Sequence, residues 1–242
     1  MSGHSKWSKI KHQKEDTDAV KGKIFTKLGN AITLSVREGG GSCDPETNFK
    51  LRLAIEKAHQ HNMPKINIDR ALERALGVGE GINIEEIIYE GMGPSGVGLI
   101  IIATTDNKQR TVAEVKNILE RGGGALTPGA VMPLYEHVGL IRVQKEADTL
   151  FDKVMELSIE KGALDIAEMS DTIEIFTRKE EVHKIKMELE QAGLKILSYE
   201  LTFKPTIKIK LADTRQGETI ENLIKRLEES EDIQKVYSNH TL

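Results

Sequence analysis

Residues 139–203 read GLIRVQ (139–144), ADTLFDKVMELSIEKG (147–162), LDIAEM (164–169), DTIEIFT (171–177), KEEVHKIKMELEQAG (179–193) and KILSYELTF (195–203). Apolar residues alternate in the short pieces, as in half-buried strands, and recur every three to four residues in the long ones, as in amphipathic helices. The order is strand, helix, strand, strand, helix, strand, which is the ferredoxin-like βαββαβ arrangement. Two apolar helix stripes and four strands within one contiguous stretch predict a domain over 138–204.

The flanks complete the architecture. Upstream, IEEIIYEG (84–91) and VGLIIIATT (97–105) predict two strands joined by the turn GMGPSG (91–96). TDNKQRTVAEVKNILERGGG (105–124) predicts a helix, with Asp106 and Gln109 resembling a capping box. Downstream, residues 205–239 predict a strand with Ile207, Ile209 and Leu211 inward, then a helix and a closing strand. Neither flank is a complete layer alone, so the two are expected to fold together as one discontinuous α/β domain, 79–137 plus 205–242, with 138–204 inserted. The first 78 residues predict three helices. One follows the cap-like Asp16–Asp18 and ends at three glycines, a second runs from Phe49 to Pro64, and a third covers INIDRALERALG (66–77), closed by Gly77. The fold class is therefore α+β multidomain: a basic tail with a three-helix domain (1–78), followed by two α/β domains, one inserted in the other.

Charge is shared unevenly. The 242 residues carry a formal net charge of −4, but residues 1–76 hold 14 Lys and Arg against 9 Asp and Glu, while the remainder holds 20 against 29. A cationic N-terminal module beside acidic ones suggests a polyanionic partner for the first. The longest apolar run, VGLIIIA (97–103), is too short to cross a bilayer and reads as a buried strand, so no membrane partner is expected. One cysteine, Cys43, forms no internal disulfide and no CxxC knuckle. No apolar signal-peptide core follows the N-terminal lysines, and the expectation is a cytoplasmic protein.

Catalytic chemistry finds no anchor: no GxSxG, P-loop or HExxH occurs, and His59 and His61 alternate where they cannot face one metal together. The chain is read as a non-enzyme, with no catalytic residue, metal, cofactor or small-molecule substrate. GMGPSG leads into a strand rather than a helix, so it is a glycine hairpin and not a phosphate loop. Gly91, Met92, Gly93 and Pro94 remain a candidate contact tip, because loops carry function and this hairpin is expected to bury little. The tail MSGHSKWSKIKHQK (1–14) is different. Lys6, Lys9, Lys11 and Lys14, joined by Lys21, Lys23 and Lys27, offer phosphate neutralisation; Trp7 offers a stacking face, with His12 beside it. Arg37, Arg52, Lys57, Lys65 and Arg70 extend the cationic surface over the predicted helices. A disordered solubilising arm is the alternative.

GHSKWSKIKHQK (3–14), GKIFTKL (22–28), the GGG and DPETNFKLRLAI stretch (39–55), NMPKINIDRAL (62–72), YEGMGPSGVGLIIIATTDNKQRTVAEVK (89–116) and VYSN (236–239) resemble the YebC/PmpR family along essentially the whole chain. The resemblance implies a three-domain architecture and a DNA-binding regulator of transcription. Its mitochondrial members imply an alternative, a ribosome-associated translational activator that binds rRNA, and bacterial members have been linked to translation of proline-rich sequence. The chain departs from the family pattern at GGGALTPGAVMPLYEHVG (122–139), where Pro128 and Pro133 interrupt an expected strand. Ser42 and Cys43 lengthen the first helical connection.

Overall fold

The computed structural model describes residues 4–77, 84–145 and 151–241, with side chains from Lys21 onward. In chain order the elements are α1 (His4–Glu38), α2 (Phe49–Gln60), α3 (Lys65–Ala75), β1 (Glu85–Met92), β2 (Gly98–Thr105), α4 (Lys108–Arg121), β3 (Ala125–Leu126), β4 (Tyr135–Gln144) and α5 (Phe151–Glu160). Then come β5 (Asp165–Glu168), β6 (Thr172–Arg178), α6 (Val182–Gln191), β7 (Ile196–Pro205), β8 (Ile209–Lys210), α7 (Thr214–Glu228), β9 (Ile233–Ser238) and β10 (His240–Thr241). The fold is α+β. It divides into two compact units, residues 1–131 with 209–242, and residues 132–208. The expected boundary at 78/79 and the expected start of the α5 helix at 147–150 lie outside the described residues.

In the first unit, α1 is the spine. Its Leu28, Ile32 and Val36 pack with Leu51 and Ala58 of α2 and Ile68 and Ala71 of α3. Leu51 is fully buried although the sequence pattern points to Phe49, Leu53 and Ile55; a buried Leu or Ile contributes roughly 1.5–3 kcal/mol. The turn between α1 and α2 explains its glycines. Asn48 caps α2 by accepting from the Leu51 amide at 3.1 Å, and its Nδ2 donates to the Ser35 and Ser42 carbonyls at 2.9 and 3.0 Å. A Cβ on Gly39 would stand 2.2 Å from that Nδ2, so only glycine lets Asn48 sit there. α1 also begins earlier than expected. The backbone is helical from His4, through the cap-like Asp16–Asp18, so the basic stretch is a helical extension rather than a separate tail. No proline occurs between His4 and Glu38, and an internal Asp or Thr costs a helix only about 0.7 kcal/mol relative to Ala.

The rest of this unit is an antiparallel sheet of order β3-β1-β2-β9. Leu99, Ile101 and Ala103 of β2 meet Val115 and Leu119 of α4 and Ile220, Leu223 and Leu227 of α7 on one face, while α1 runs against β2. Residues 84–121 and the C-terminal segment thus share one core. β8 departs from expectation: only two residues long, it pairs in parallel with β10, and Ile207 is 52% exposed rather than inward. Pro128, two residues after β3, goes with a two-residue edge strand there, because proline cannot donate to a ladder, and Pro133 lies in the short helical turn Met132–Leu134 before β4. The loop after β3 is held instead by Glu90, whose carboxylate accepts from the Gly129 and Val131 amides at 2.9 and 2.7 Å.

The second unit is an antiparallel sheet of order β5-β6-β4-β7, the strand order of a ferredoxin-like βαββαβ fold. Gly139 admits α6, since a Cβ there would stand 2.5 Å from both Thr177 Oγ1 and Val182 Cβ. On the opposite face of the sheet Arg142 bridges Glu174 and Glu200 at 2.9 and 2.8 Å.

Candidate nucleic-acid interface

Lys6, Trp7, Lys9, Lys11, His12 and Lys14 all lie on the backbone helix of α1, and their side chains fall outside the described residues. The remaining candidates separate into two groups. Lys21 on α1, Lys57 on α2, and Lys65 and Arg70 on α3 are exposed. No hydrogen bond or ion pair engages their side chains among the described residues.

The second group is engaged by the protein's own backbone carbonyls. Lys23 Nζ donates to the Glu229 carbonyl at 3.2 Å and Lys27 Nζ to the Glu228 carbonyl at 2.5 Å, both at the C-terminal end of α7. Burial lowers the Lys27 pKa from its ordinary value; Glu228 opposes that, and the positive charges of Lys23 and Lys57 add to it. The structure therefore brings Lys23, Lys27 and Lys57 into one electrostatic neighbourhood. Arg37 donates to the Ile84 carbonyl at 3.3 Å. Arg52 donates to the Pro45 and Glu46 carbonyls, each at 2.9 Å, with the Glu46 carboxylate 3.7 Å away.

The glycine hairpin is packed rather than presented. Gly91 and Gly93 are buried, and Met92 and Pro94 half-buried. A Cβ on Gly91 would meet Leu119 at 2.9 Å, and one on Gly124 would stand 2.5 Å from the Met92 carbonyl. The expectation that this loop buries little is thus corrected: it packs against the C-terminal end of α4 and the middle of α7. Its exposed crest is Ser95 and Gly96, both with positive φ (60° and 77°).

Sequence reasoning misses a polar cluster beside α1. Asp232, nine-tenths buried, accepts from Thr111 Oγ1 at 2.7 Å, Thr105 Oγ1 at 3.2 Å and Arg110 Nη2 at 2.9 Å. The hydrogen bonds that Arg110 makes to Asp232 and Asp106 raise its pKa. Lys23, Arg110, Glu114 and the run Glu229–Asp232 line a shallow polar cleft there. The cap of α4 is Asn107, accepting from the Arg110 amide at 3.0 Å, because Asp106 turns to the Arg110 guanidinium. The threonines of TTDNKQRT are the available signal, but their partner is more than 120 residues away. Among the described residues no group of His, Cys, Asp and Glu could hold a metal ion, and no helix is long and apolar enough to cross a membrane.

Comparison with known proteins agrees over the full length. Residues 5–78 match the TACO1/YebC protein N-terminal domain, and residues 84–240 match the TACO1/YebC second and third domain. A protein of Thermoanaerobacter pseudethanolicus named "probable transcriptional regulatory protein" is 45% identical over 240 residues, covering 99% of this chain and 96% of its own. One of the same name from Sulfurihydrogenibium is 43% identical over 241 residues, 99% of this chain and 95% of its own. The crystal structure of a conserved hypothetical protein from Aquifex aeolicus superimposes with a TM-score of 0.81 at 37% identity, covering 93% of this chain and 91% of that one. A chain matched along both family segments and sharing more than two-fifths of its residues with such relatives belongs to the TACO1/YebC family.

Proposed function

We propose that this protein is a non-enzymatic, cytoplasmic regulator of gene expression that binds nucleic acid, in the first instance DNA, through the cations of its N-terminal helices. The observation that carries the reading is the set Lys21, Lys57, Lys65 and Arg70, whose side chains are exposed and unengaged among the described residues, on α1 itself, which carries the basic stretch Lys6–Lys14, and on the two helices packed with it. Ammonium and guanidinium groups left in water are the ones that can exchange counterions for phosphate. The names of the relatives support a regulatory role. The reading uses no catalytic residue, cofactor or small-molecule substrate. It also treats the chain as three working parts, 1–78 for the polyanion, and 79–137 plus 205–242 and 138–204 for geometry or protein contact.

A second reading is a ribosome-associated translation factor binding rRNA. It is favoured by the absence from the sequence of a recognisable helix-turn-helix with base-reading Asn, Gln or Arg at its helix start. Binding to duplex promoter DNA and co-sedimentation with ribosomes, each at two salt concentrations in the same buffers, separate the two. Tighter, salt-dependent binding to duplex supports the first, and ribosome retention with weak duplex binding supports the second. Salt-independent or absent association with both contradicts nucleic-acid binding altogether.

A further inference from the structure

The last carbonyls of any α-helix lack intrahelical donors and carry the negative end of the helix dipole. At the end of α7 those of Glu228 and Glu229 are taken by Lys27 and Lys23, from more than 200 residues away in sequence. The two lysines are four residues apart, about one helical turn, so they share a face of α1 and act on one target. Lys27 is half-buried, and burial disfavours its charged form. The Lys27 ammonium, seated on a carbonyl and drawn out of water, is poorly placed to collect a phosphate as well, and Lys23, though exposed, turns its donor to the neighbouring carbonyl. In sequence these two lysines look like Lys6, Lys9 and Lys21; in space their work is different.

α1 has no break between His4 and Glu38. A continuous helix transmits direction, so what fixes it at residues 23 and 27 also fixes the course of the basic stretch that precedes them. We infer that Lys23 and Lys27 are positioning residues: by seating α1 on the C-terminal end of α7 they orient the basic N-terminal stretch for its polyanion, without contacting phosphate themselves. The inference rests on the nucleic-acid-binding reading above, and it turns the regular cationic pattern of α1 into two functions, an anchor and a contact face.

The test compares the full chain with Lys23→Met/Lys27→Met, with Lys23→Arg/Lys27→Arg, and with Lys21→Met as a contact-face control. Met keeps helix propensity and an unbranched side chain while removing the donor. Affinity for one duplex and for ribosomes is measured across a salt series. The double Met variant is expected to bind about tenfold more weakly, the cost of ordering a segment no longer held in place, with the slope of log K against log salt unchanged. The double Arg variant, able to donate to the same carbonyls, recovers affinity. Lys21→Met lowers the slope by roughly 0.7–0.9. Amide exchange along α1 and α7 should quicken in the double Met variant only, which shows that the anchor has been released in a folded protein. A slope that falls by roughly 1.4–1.8 in the double Met variant, the mark of two phosphates no longer neutralised, would make these lysines phosphate ligands and overturn the inference. Unchanged affinity with quickened exchange would overturn it too. A parent chain that binds neither polyanion defeats the functional reading itself, and the positioning role with it.

Discussion

Asp232 shows how far a single side chain organises this fold. Two hydroxyls of buried threonines, Thr105 and Thr111, donate to its carboxylate, and its own carbonyl accepts from the Thr104 amide at 2.8 Å. Its ion pair with the half-exposed Arg110 adds little, because exposed pairs are screened by water; the hydroxyl bonds to a buried carboxylate matter more. Asp232→Ala is expected to destabilise the protein by roughly 1.5–3 kcal/mol, read as a lower urea midpoint at unchanged slope. A loss below about 0.5 kcal/mol, the scale of an ordinary surface change, would contradict this role for the cluster. Nothing near Asp232 in the sequence announces it. Glu229, Glu231 and Asp232 are near neighbours in sequence, and only the pairing of β2 with β9 brings Asp232 to Thr105. Asp106 misleads as a sequence guide for a related reason. Asp and Asn cap helices equally well, and the Arg110 side chain, one turn on, draws Asp106 away and leaves the cap to Asn107.

At the scale of elements, the sequence pattern locates almost every helix and strand, since long periodic segments carry strong signals. What it misses are ends and partners. It places the start of α1 too late, because Asp16–Asp18 has cap composition but no break in the chain to make it a cap. The hairpin at 91–96 reads as a candidate contact tip, because glycine looks permissive in sequence; here close approach calls for glycine at position 91, where Leu119 stands 2.9 Å from the place of a Cβ, and Gly93 lies tightly against Ile220 of α7. Cap chemistry at α2 gives a direct check. Asn48 satisfies the Leu51 amide and two carbonyls at once, so Asn48→Ala should cost about 1–2 kcal/mol in thermal or urea unfolding. If the cost is nearer zero, water replaces Asn48 and the glycine turn is not built around it.

In the molecule as a whole the charge divide falls within one compact unit, since the cationic residues 1–76 share the first unit with acidic segments. The ferredoxin-like order is fully legible because its six pieces are contiguous, whereas the joining of residues 84–121 to the C-terminal segment follows in sequence only from the incompleteness of each, and in the structure from the pairing of β2 with β9. Residues 132–208 hold their own sheet, with Ile141, Ile173, Ile175, Ile185 and Leu189 buried. Expressed alone, this segment should unfold in one cooperative transition with protected β4 and β6 amides; a broad, unprotected profile would contradict its independence. The candidate site is legible as composition, not as geometry: sequence shows where cations are abundant but does not distinguish those that serve as anchors from those left to solvent. Whether the basic stretch of α1 meets phosphate is decided by the salt dependence of nucleic-acid binding in Lys6→Ala/Lys9→Ala/Lys11→Ala. Affinity is expected to fall almost equally across sequences, with the slope of log K against log salt reduced by roughly 0.7–0.9 for each phosphate no longer neutralised. Parental affinity and slope on duplex DNA, structured RNA and ribosomes alike would contradict it.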